Sequence, residues 1–202
     1  MNNTLSDSYA SEMDEADPLA HFRERFFMPR DADGREVLYF TGNSLGLMPR
    51  TVRSYVEQEL KDWETLAVEG HVSAKNPWLP YHEFLTKQIA AIIGAKPIET
   101  VVMNALTVNL HILLISFYRP TPARHRIVIE KGAFPSDQYA VVSQIRFRGF
   151  DPHQSLIELT PREGESTLRT EDIVETIERE GDSIALVMLG GVNYYTGQAF
   201  DM

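Results

Sequence analysis

Hydrophobic positions along this chain follow two periods, and the order of the two predicts the fold. Short apolar runs typical of buried strands occur at 127–129, 156–159 and 183–189, and stretches with helical spacing lie between them. Regular alternation of strand and helix indicates a largely parallel sheet with helices on both faces. We therefore expect an α/β fold with three layers, in the order helix, sheet, helix.

The first hundred residues show mainly helical patterns. Helices are predicted to begin at Pro49 and at Pro80, because proline favours the first turn and amphipathic spacing follows each of them. Short strands are predicted at 37–40 and 101–103. Residues 69–78 have no sustained period and are predicted to form a loop, an element that often carries function.

Composition shifts divide the chain into three predicted segments. Residues 1–16 are polar and acidic, which is typical of a mobile tail. Residues 17–70 are predicted to form a helical arm, and residues 71–202 carry the strand and helix alternation. The 202 residues, 43% of them hydrophobic, can bury one substantial core, although a piece of a larger protein is equally allowed.

Charge and residue usage narrow the classes of function. The net charge of −10 disfavours nucleic acids and anionic membranes as partners. The chain has no cysteine, which excludes disulfides, thiol nucleophiles and cysteine-ligated zinc, and its six histidines show no metal-binding spacing. Neither a membrane span nor a signal-peptide pattern is present, so we expect a cytoplasmic protein.

The most informative junction lies at 101–111, where an apolar run meets a polar turn and then a long apolar helix pattern. The first amides of a helix lack intrahelical partners, and the helix dipole adds partial positive charge there. One interpretation is a phosphate held by the hydroxyl of Thr107 and the amides around Leu106 and Thr107. The alternative is that Thr107 only caps the helix.

Ligands of open parallel sheets bind beyond the carboxyl ends of the strands, which directs attention to the turns there. Phe134 follows a predicted strand by a short link, and its ring would suit stacking on a flat heteroaromatic ligand. The alternative is that Phe134 belongs to the core and that Ser136 and Asp137 only cap the next helix. His71 is a candidate contact for an anionic substrate, or else a solvated surface histidine. The four turns are Gly42-Asn43-Ser44, Ala105-Leu106-Thr107, Phe134-Pro135-Ser136-Asp137 and Gly190-Gly191-Val192-Asn193.

Six short motifs, spread in order from Tyr39 to near the end of the chain, together resemble kynureninase. That family consists of pyridoxal-phosphate enzymes of the aminotransferase-like fold type I. No single motif carries the resemblance. The motifs are Tyr39-Phe-Thr-Gly-Asn-Ser-Leu-Gly-Leu, Gly70-His71 with Pro77-Trp78, Met103-Asn-Ala-Leu-Thr-Val-Asn-Leu-His, Phe134-Pro-Ser-Asp, Pro161-Arg-Glu-Gly-Glu and Tyr195-Thr-Gly-Gln.

The resemblance implies hydrolysis of the Cβ–Cγ bond of L-kynurenine, or of 3-hydroxy-L-kynurenine, to an anthranilate and L-alanine. It also implies pyridoxal 5'-phosphate as cofactor, a homodimer, and a three-layer large domain of which residues 71–202 are part. Ser44 and His71 match family positions at the substrate. The positions that match the family's cofactor site are Leu106, Thr107, Phe134, Pro135, Ser136 and Asp137.

The family's Schiff-base lysine and its pyridinium-binding aspartate both lie downstream of the Tyr-Thr-Gly-Gln motif. The resemblance therefore implies an amino-terminal half, with the lysine beyond Met202 and no catalytic residue in this stretch, which we expect to be inactive alone. Gly190 is a further departure, because relatives can carry a serine there that contacts the cofactor. All five lysines lie upstream of that position: Lys61, Lys75, Lys87, Lys96 and Lys131.

Two other functions stay open at this point. The chain could be a non-catalytic module that keeps the phosphate crevice, or another fold type I enzyme, such as a cysteine desulfurase-like protein. Gly70-His71 and Asn43-Ser44 fit the kynurenine-specific pattern and favour the first interpretation.

Overall fold

The computed structural model describes residues 6–201, which form two compact units divided between Val101 and Val102. None of the helices in this part of the chain combines the length and the apolar composition that crossing a bilayer requires. The predicted division at residues 16 and 70 differs from this boundary and stays a prediction.

The first unit contains four of the α-helices. Residues 7–16, within the predicted mobile tail, form an exposed helix whose first turn is capped by the hydroxyl of Ser6; residues 1–5 of that tail lie outside the described residues. Gly94 ends the last helix in a left-handed conformation with φ of 71°, which glycine adopts without strain. The helices are α1 (Asp7–Ala16), α2 (Val52–Leu66), α3 (Gly70–Ser73) and α4 (Thr86–Ile93).

The second unit alternates helices and strands, as the hydrophobic pattern predicts. Its three strands are all parallel and lie in the order β2, β1, β3, so the first strand of the sequence is central in the sheet. The elements are α5 (Leu106–Phe117), β1 (Arg126–Glu130), α6 (Pro135–Phe147), α7 (Pro152–Ser155), β2 (Leu156–Leu159), α8 (Thr170–Glu180) and β3 (Ile184–Met188).

Both faces of this sheet are covered by helices. Ile127 and Ile129 of β1 point to one face, where they pack with residues of α5 and α6. Val128 points to the other face and packs with residues of α8, including Ile173. Successive strand residues face opposite sides of a sheet, so the apolar residues of β1 are buried on both faces. The expected three-layer α/β fold is therefore confirmed.

Three local predictions of strands and loops are wrong. Residues 37–40 and 101–103 form no strand. An apolar run becomes a strand only where a neighbouring strand offers hydrogen-bonding partners, and the described sheet pairs β1 with β2 and β3 alone. The predicted loop at 69–78 is partly helical, because α3 occupies its beginning.

Candidate functional site

Two of the predicted cofactor residues open helix α5. Leu106 is its first residue and 73% exposed, and Thr107 is its second and also exposed. Ala105 precedes them with an extended backbone and has no polar side-chain atom to cap the helix. Since Thr107 lies inside the helix rather than before it, the interpretation of Thr107 as the capping residue is wrong. The first amides and this hydroxyl are available to an anion.

The turn before α5 is fixed by two asparagines. The side-chain nitrogen of Asn109 donates to the backbone carbonyl of Asn104 at 3.0 Å, and the side-chain nitrogen of Asn104 donates to the side-chain oxygen of Asn109 at 3.3 Å. These contacts close the turn against the first helical turn. The amino end of α5 is thereby presented by a constrained loop.

The other four predicted cofactor residues open helix α6. Phe134 is the residue before the helix and Pro135 its first residue, where the missing proline N–H costs nothing. The ring of Phe134 is 49% exposed, so its assignment to the core is wrong. Ser136 and Asp137 lie in the first turn, and the hydroxyl of Ser136 donates to the carboxylate of Asp137 at 3.2 Å.

Tyr194, which the sequence reasoning did not single out, meets the ring of Phe134. The two rings are 5.1 Å apart at an interplanar angle of 83°, an edge-to-face contact. Aromatic pairs favour this geometry because the positive ring edge faces the negative ring face. Tyr194 therefore restricts the torsion angles open to the Phe134 ring.

A buried polar pair involves Asn193, the residue before Tyr194. Glu130, the last residue of β1, is 7% exposed, and its carboxylate accepts a hydrogen bond of 2.8 Å from the side-chain amide of Asn193. The side-chain oxygen of Asn193 accepts from the backbone amides of Tyr195 and Thr196 at 2.9 and 2.8 Å. One signal could have identified Glu130: a charged residue that directly follows an apolar run, here 127–129, at the end of a parallel strand lies at the ligand-binding edge of the sheet.

A cavity of about 350 Å³ opens at this edge of the sheet. Glu130 forms part of its wall, together with Pro161 and Ser166 from the segment after β2 and Asn193 from the segment after β3. The side chain of Gln198 fastens the two segments, because it donates to the carbonyl of Leu168 at 2.6 Å and accepts from that residue's amide at 2.9 Å. The described residues 6–201 hold no group of His, Asp or Glu side chains suited to a metal ion.

Two ion pairs stiffen the segment after β2. Arg162 donates two hydrogen bonds to Asp172, at 2.9 and 2.6 Å, and these bonds lower the pKa of that carboxyl group and raise the pKa of the guanidinium. Arg169 pairs with Glu165 in the same way and lowers its pKa. Asp172 belongs to α8, so the first pair ties the segment to a helix.

The predicted substrate residues Ser44 and His71 belong to the first unit, and both are exposed. Ser44 lies in a turn closed by its own amide, which donates to the carbonyl of Thr41 at 2.9 Å. Nδ1 of His71 lies 2.8 Å from the carbonyl of Val68. Because a carbonyl only accepts, Nδ1 carries the hydrogen and Nε2 of the neutral ring presents a lone pair. His71 is thus an oriented acceptor, not simply a solvated side chain.

His71 is held by contacts that its sequence neighbourhood does not reveal. The ring of Trp78 makes an edge-to-face contact with the imidazole, with centroids 5.4 Å apart. Glu59 of α2 accepts from the indole nitrogen of Trp78 and from the side-chain amide of Asn76, both at 2.9 Å. One carboxylate therefore fixes the chain segment that carries the aromatic neighbour of His71.

The second unit is a three-layer α/β domain, because helices cover both faces of its parallel sheet. Domains of this class bind ligands at the carboxyl ends of their strands, where the cavity lies. Comparison with known proteins is more specific, although no family model matches the chain. The chain is 64% identical to a kynureninase of Koribacter versatilis over 197 residues, which are 98% of this chain and 46% of that protein.

Other relatives agree. A kynureninase of Myxococcus xanthus is 57% identical over 98% of this chain and 46% of its own length. A kynureninase of Mus musculus is 47% identical over 96% of this chain and 44% of its own length. The resemblance seen in the motifs is confirmed: over nearly its whole length the chain is similar to kynureninases. It spans about half the length of the curated relatives that it matches.

Proposed function

We propose that this chain is part of a kynureninase, a pyridoxal-phosphate-dependent hydrolase acting on a carbon–carbon bond. The reaction is cleavage of L-kynurenine, or its 3-hydroxy form, to anthranilate, or 3-hydroxyanthranilate, and L-alanine. The observation that carries the proposal is 64% identity to a kynureninase over 98% of the chain. Identity at this level over motifs that form turns at helix starts favours a shared chemistry as well as a shared fold.

The proposed cofactor site combines the amino ends of two helices. Leu106 and Thr107 would bind the phosphate through the amides and the hydroxyl at the start of α5. Phe134 would stack on the pyridine ring, and Pro135, Ser136 and Asp137 would complete the pocket at the start of α6. Pyridoxal phosphate, when bound, supplies the electron sink for breaking the carbon–carbon bond, and the residues of this chain bind and orient it.

The packing of α5 against α6 supports a common site. The guanidinium of Arg148, just after α6, donates to the carbonyl of Ile115 near the end of α5 at 2.7 Å. The carboxyl ends of the two helices thus lie together. Tyr118, just after α5, donates to the carbonyl of His125, just before β1, and α6 follows the end of β1. We infer that both helices run antiparallel to β1, so that their amino ends lie toward the edge of the sheet where β1 ends. A phosphate and an attached aromatic ring suit two helix starts arranged in this way.

Ser44 and His71 are the proposed substrate contacts. The oriented Nε2 of His71 is suited to accept a hydrogen bond from a donor on kynurenine. We further propose a homodimer in the cytoplasm as the working form, in line with fold type I enzymes. In family members the Schiff-base lysine comes from sequence downstream of the motif that contains Tyr195 and Thr196.

Pyridoxamine 5'-phosphate tests the cofactor site, because it has no aldehyde and binds without a lysine. We expect calorimetric titration of the chain to detect binding, and Thr107→Val to weaken it about 10-fold to 100-fold, the value of a hydrogen bond to a charged group. Thr170→Val is the matched control, since Thr170 is an exposed threonine at the start of α8. Absence of binding, or equal loss in both variants, would contradict the proposal.

A hybrid protein tests the reaction. When this chain replaces the matching segment of the Koribacter versatilis relative, we expect the hybrid to release fluorescent anthranilate from kynurenine. His71→Ala should raise the KM of the hybrid more than it changes kcat, because His71 is proposed to bind substrate. A folded hybrid that binds the cofactor but leaves kynurenine intact would refute the assignment of substrate.

A further inference from the structure

We propose that Glu130 is a positioning residue for the cofactor site. Acting through Asn193 and Tyr194, Glu130 holds the Phe134 ring in place for stacking. The inference rests on the proposed function, because the ring that it positions is the proposed pyridine platform. It adds a residue that lies outside the family motifs noted in the sequence.

Burying the carboxylate of Glu130 costs free energy. A carboxylate that is 7% exposed loses most of its hydration, and such a loss is unfavourable unless the charge is well paired. The side-chain partner of Glu130 is the neutral amide of Asn193, at 2.8 Å. An apolar residue after the apolar run 127–129 would avoid this cost, so the carboxylate has a role other than stabilising the core.

The turn at 193–198 is organised around Asn193. Its side-chain oxygen accepts from the amides of Tyr195 and Thr196, and from the hydroxyl of Thr196 at 3.1 Å. Its backbone amide donates to the carbonyl of Gln198 at 2.8 Å, and its carbonyl accepts from Gly197 at 3.0 Å. The side-chain nitrogen of Asn193 donates to Glu130, so the carboxylate fixes the turn relative to β1.

Tyr194 connects this turn to the Phe134 ring. Tyr194 lies between two residues held in this way, and its ring meets Phe134 edge to face at 5.1 Å. The backbone around Phe134 is already fixed, because Ala133 donates to the carbonyl of Glu130 at 3.2 Å and Asp137 donates to the carbonyl of Phe134 at 2.9 Å. The side-chain torsion angles of Phe134 are not fixed by these backbone bonds, and the contact with Tyr194 restricts them.

The test compares Glu130→Leu with Glu130→Gln, which keeps an oxygen acceptor for Asn193. Glu158→Leu is the control for loss of a carboxylate from the sheet, because Glu158 is an exposed residue of β2. Three quantities are measured: affinity for pyridoxamine 5'-phosphate, affinity for inorganic phosphate, and the circular dichroism induced in the pyridine band. The induced signal reports a fixed stacking geometry, which a purely structural role of Glu130 would not change in a folded variant.

We expect Glu130→Leu to weaken pyridoxamine 5'-phosphate binding about threefold to tenfold, as loss of an ordered stacking partner would. The induced dichroism should fall while the affinity for inorganic phosphate is unchanged. Glu130→Gln and Glu158→Leu should match the wild-type chain. A folded Glu130→Leu with full affinity and full dichroism would overturn the inference. So would equal losses in the leucine and glutamine variants.

Two further measurements keep the test decisive. If Glu130→Leu does not fold, Tyr194→Leu takes its place, with Tyr139→Leu as control because Tyr139 is 77% exposed on α6. If the wild-type chain binds no pyridoxamine 5'-phosphate, the proposed function fails. The positioning is then decided without ligand, by nuclear Overhauser contacts between the Phe134 and Tyr194 rings, which should vanish in Glu130→Leu and persist in Glu130→Gln.

Discussion

The indole nitrogen of Trp78 donates a hydrogen bond of 2.9 Å to the carboxylate of Glu59, and this places the indole ring where a side chain on Gly70 would begin. A Cβ on Gly70 would lie 2.5, 2.6 and 2.8 Å from three atoms of the ring. The ring is rigid and tethered, so it has little freedom to move aside. Glycine at position 70 is therefore a packing requirement.

Gly70→Ala is expected to destabilise the first unit by about 1–3 kcal/mol, the usual cost of overpacking. Urea unfolding followed by tryptophan fluorescence measures the change, since Trp78 is at the affected contact. Gly46→Ala is the matched control, because a Cβ there meets no atom within 4 Å. Equal stability of the two variants would show that the Trp78 ring yields easily.

Tyr118 should make the chain sensitive to alkali. Its side chain is fully buried, its hydroxyl donates to the carbonyl of His125 at 2.7 Å, and burial raises the pKa of the phenol above the ordinary value of 10.0. The unfolded chain therefore loses this proton at a lower pH than the folded chain. The contribution to stability is full below about pH 10 and declines as pH rises through the raised pKa of the folded state.

Tyr118→Phe should cost about 1–3 kcal/mol at neutral pH, because the carbonyl of His125 loses its donor. The variant should also lose less stability than the wild-type chain between neutral and strongly alkaline pH. Unfolding free energies across that range measure both effects. Tyr55→Phe, at a residue 66% exposed, should reproduce the wild-type profile. A similar loss in the Tyr55 variant would refute the prediction.

The pair of Arg162 and Asp172 should contribute to acid sensitivity. Hydrogen bonds from Arg162 lower the pKa of Asp172 below its ordinary value of 3.8. The unfolded chain binds this proton first as pH falls, so the stabilisation is present above the ordinary pKa and is lost as pH falls through the lowered one. Asp172→Asn should therefore flatten the decline in stability below about pH 5, and added salt should shrink the difference.

Glu178→Gln serves as the control for Asp172→Asn, since Glu178 is an exposed carboxylate on the same helix. Unfolding measured from pH 5 downward, at low and high salt, should leave this variant on the wild-type curve. Identical pH profiles for Asp172→Asn and the wild-type chain would remove the assigned role of the ion pair.

Strand β3 should promote association of the chain. It lies at an edge of the described three-stranded sheet, and Val187 on it is 39% exposed. Exposed apolar edge strands pair with other chains. We expect a mass that rises with concentration in analytical ultracentrifugation and a smaller rise for Val187→Lys. Leu38→Lys, at an exposed residue outside the strands, should change it less. A wild-type chain that stays monomeric would contradict the prediction.

The sequence predicted the three strands of the second unit because their apolar runs are buried on both faces and are bounded by turn residues. It failed at 37–40 and 101–103, where equally apolar runs have no neighbouring strand in the described sheet. Strand formation depends on a partner, and composition does not reveal partners. The helix predicted at Pro49 begins three residues later, at Val52, since proline acts locally. The helix predicted at Pro80 is wrong in its start, because a 3-10 turn at Tyr81–Glu83 comes first and α4 begins at Thr86.

Candidates for the site could be chosen from the sequence where they depend on local chemistry. Thr107 and Phe134 were chosen because both lie where an extended segment meets a helix. The contact between Glu130 and Asn193 was not predicted, because 63 positions separate the two residues in sequence. Their meeting requires β3 to lie beside β1, and the order of strands in a sheet does not follow from their order in the chain.

No other common amino acid combines the shape of Asn193 with its donor and acceptor pattern. Its nitrogen faces a carboxylate and its oxygen faces two backbone N–H groups, so the position needs a donor and an acceptor on one short planar group. Hydrolytic loss of ammonia from this side chain would create an aspartate and set two carboxylates against each other across a gap of 2.8 Å. Deamidation of Asn193 would convert an attraction at the end of β1 into a repulsion. We expect deamidation during storage to disturb the turn at 193–198 before the surrounding sheet.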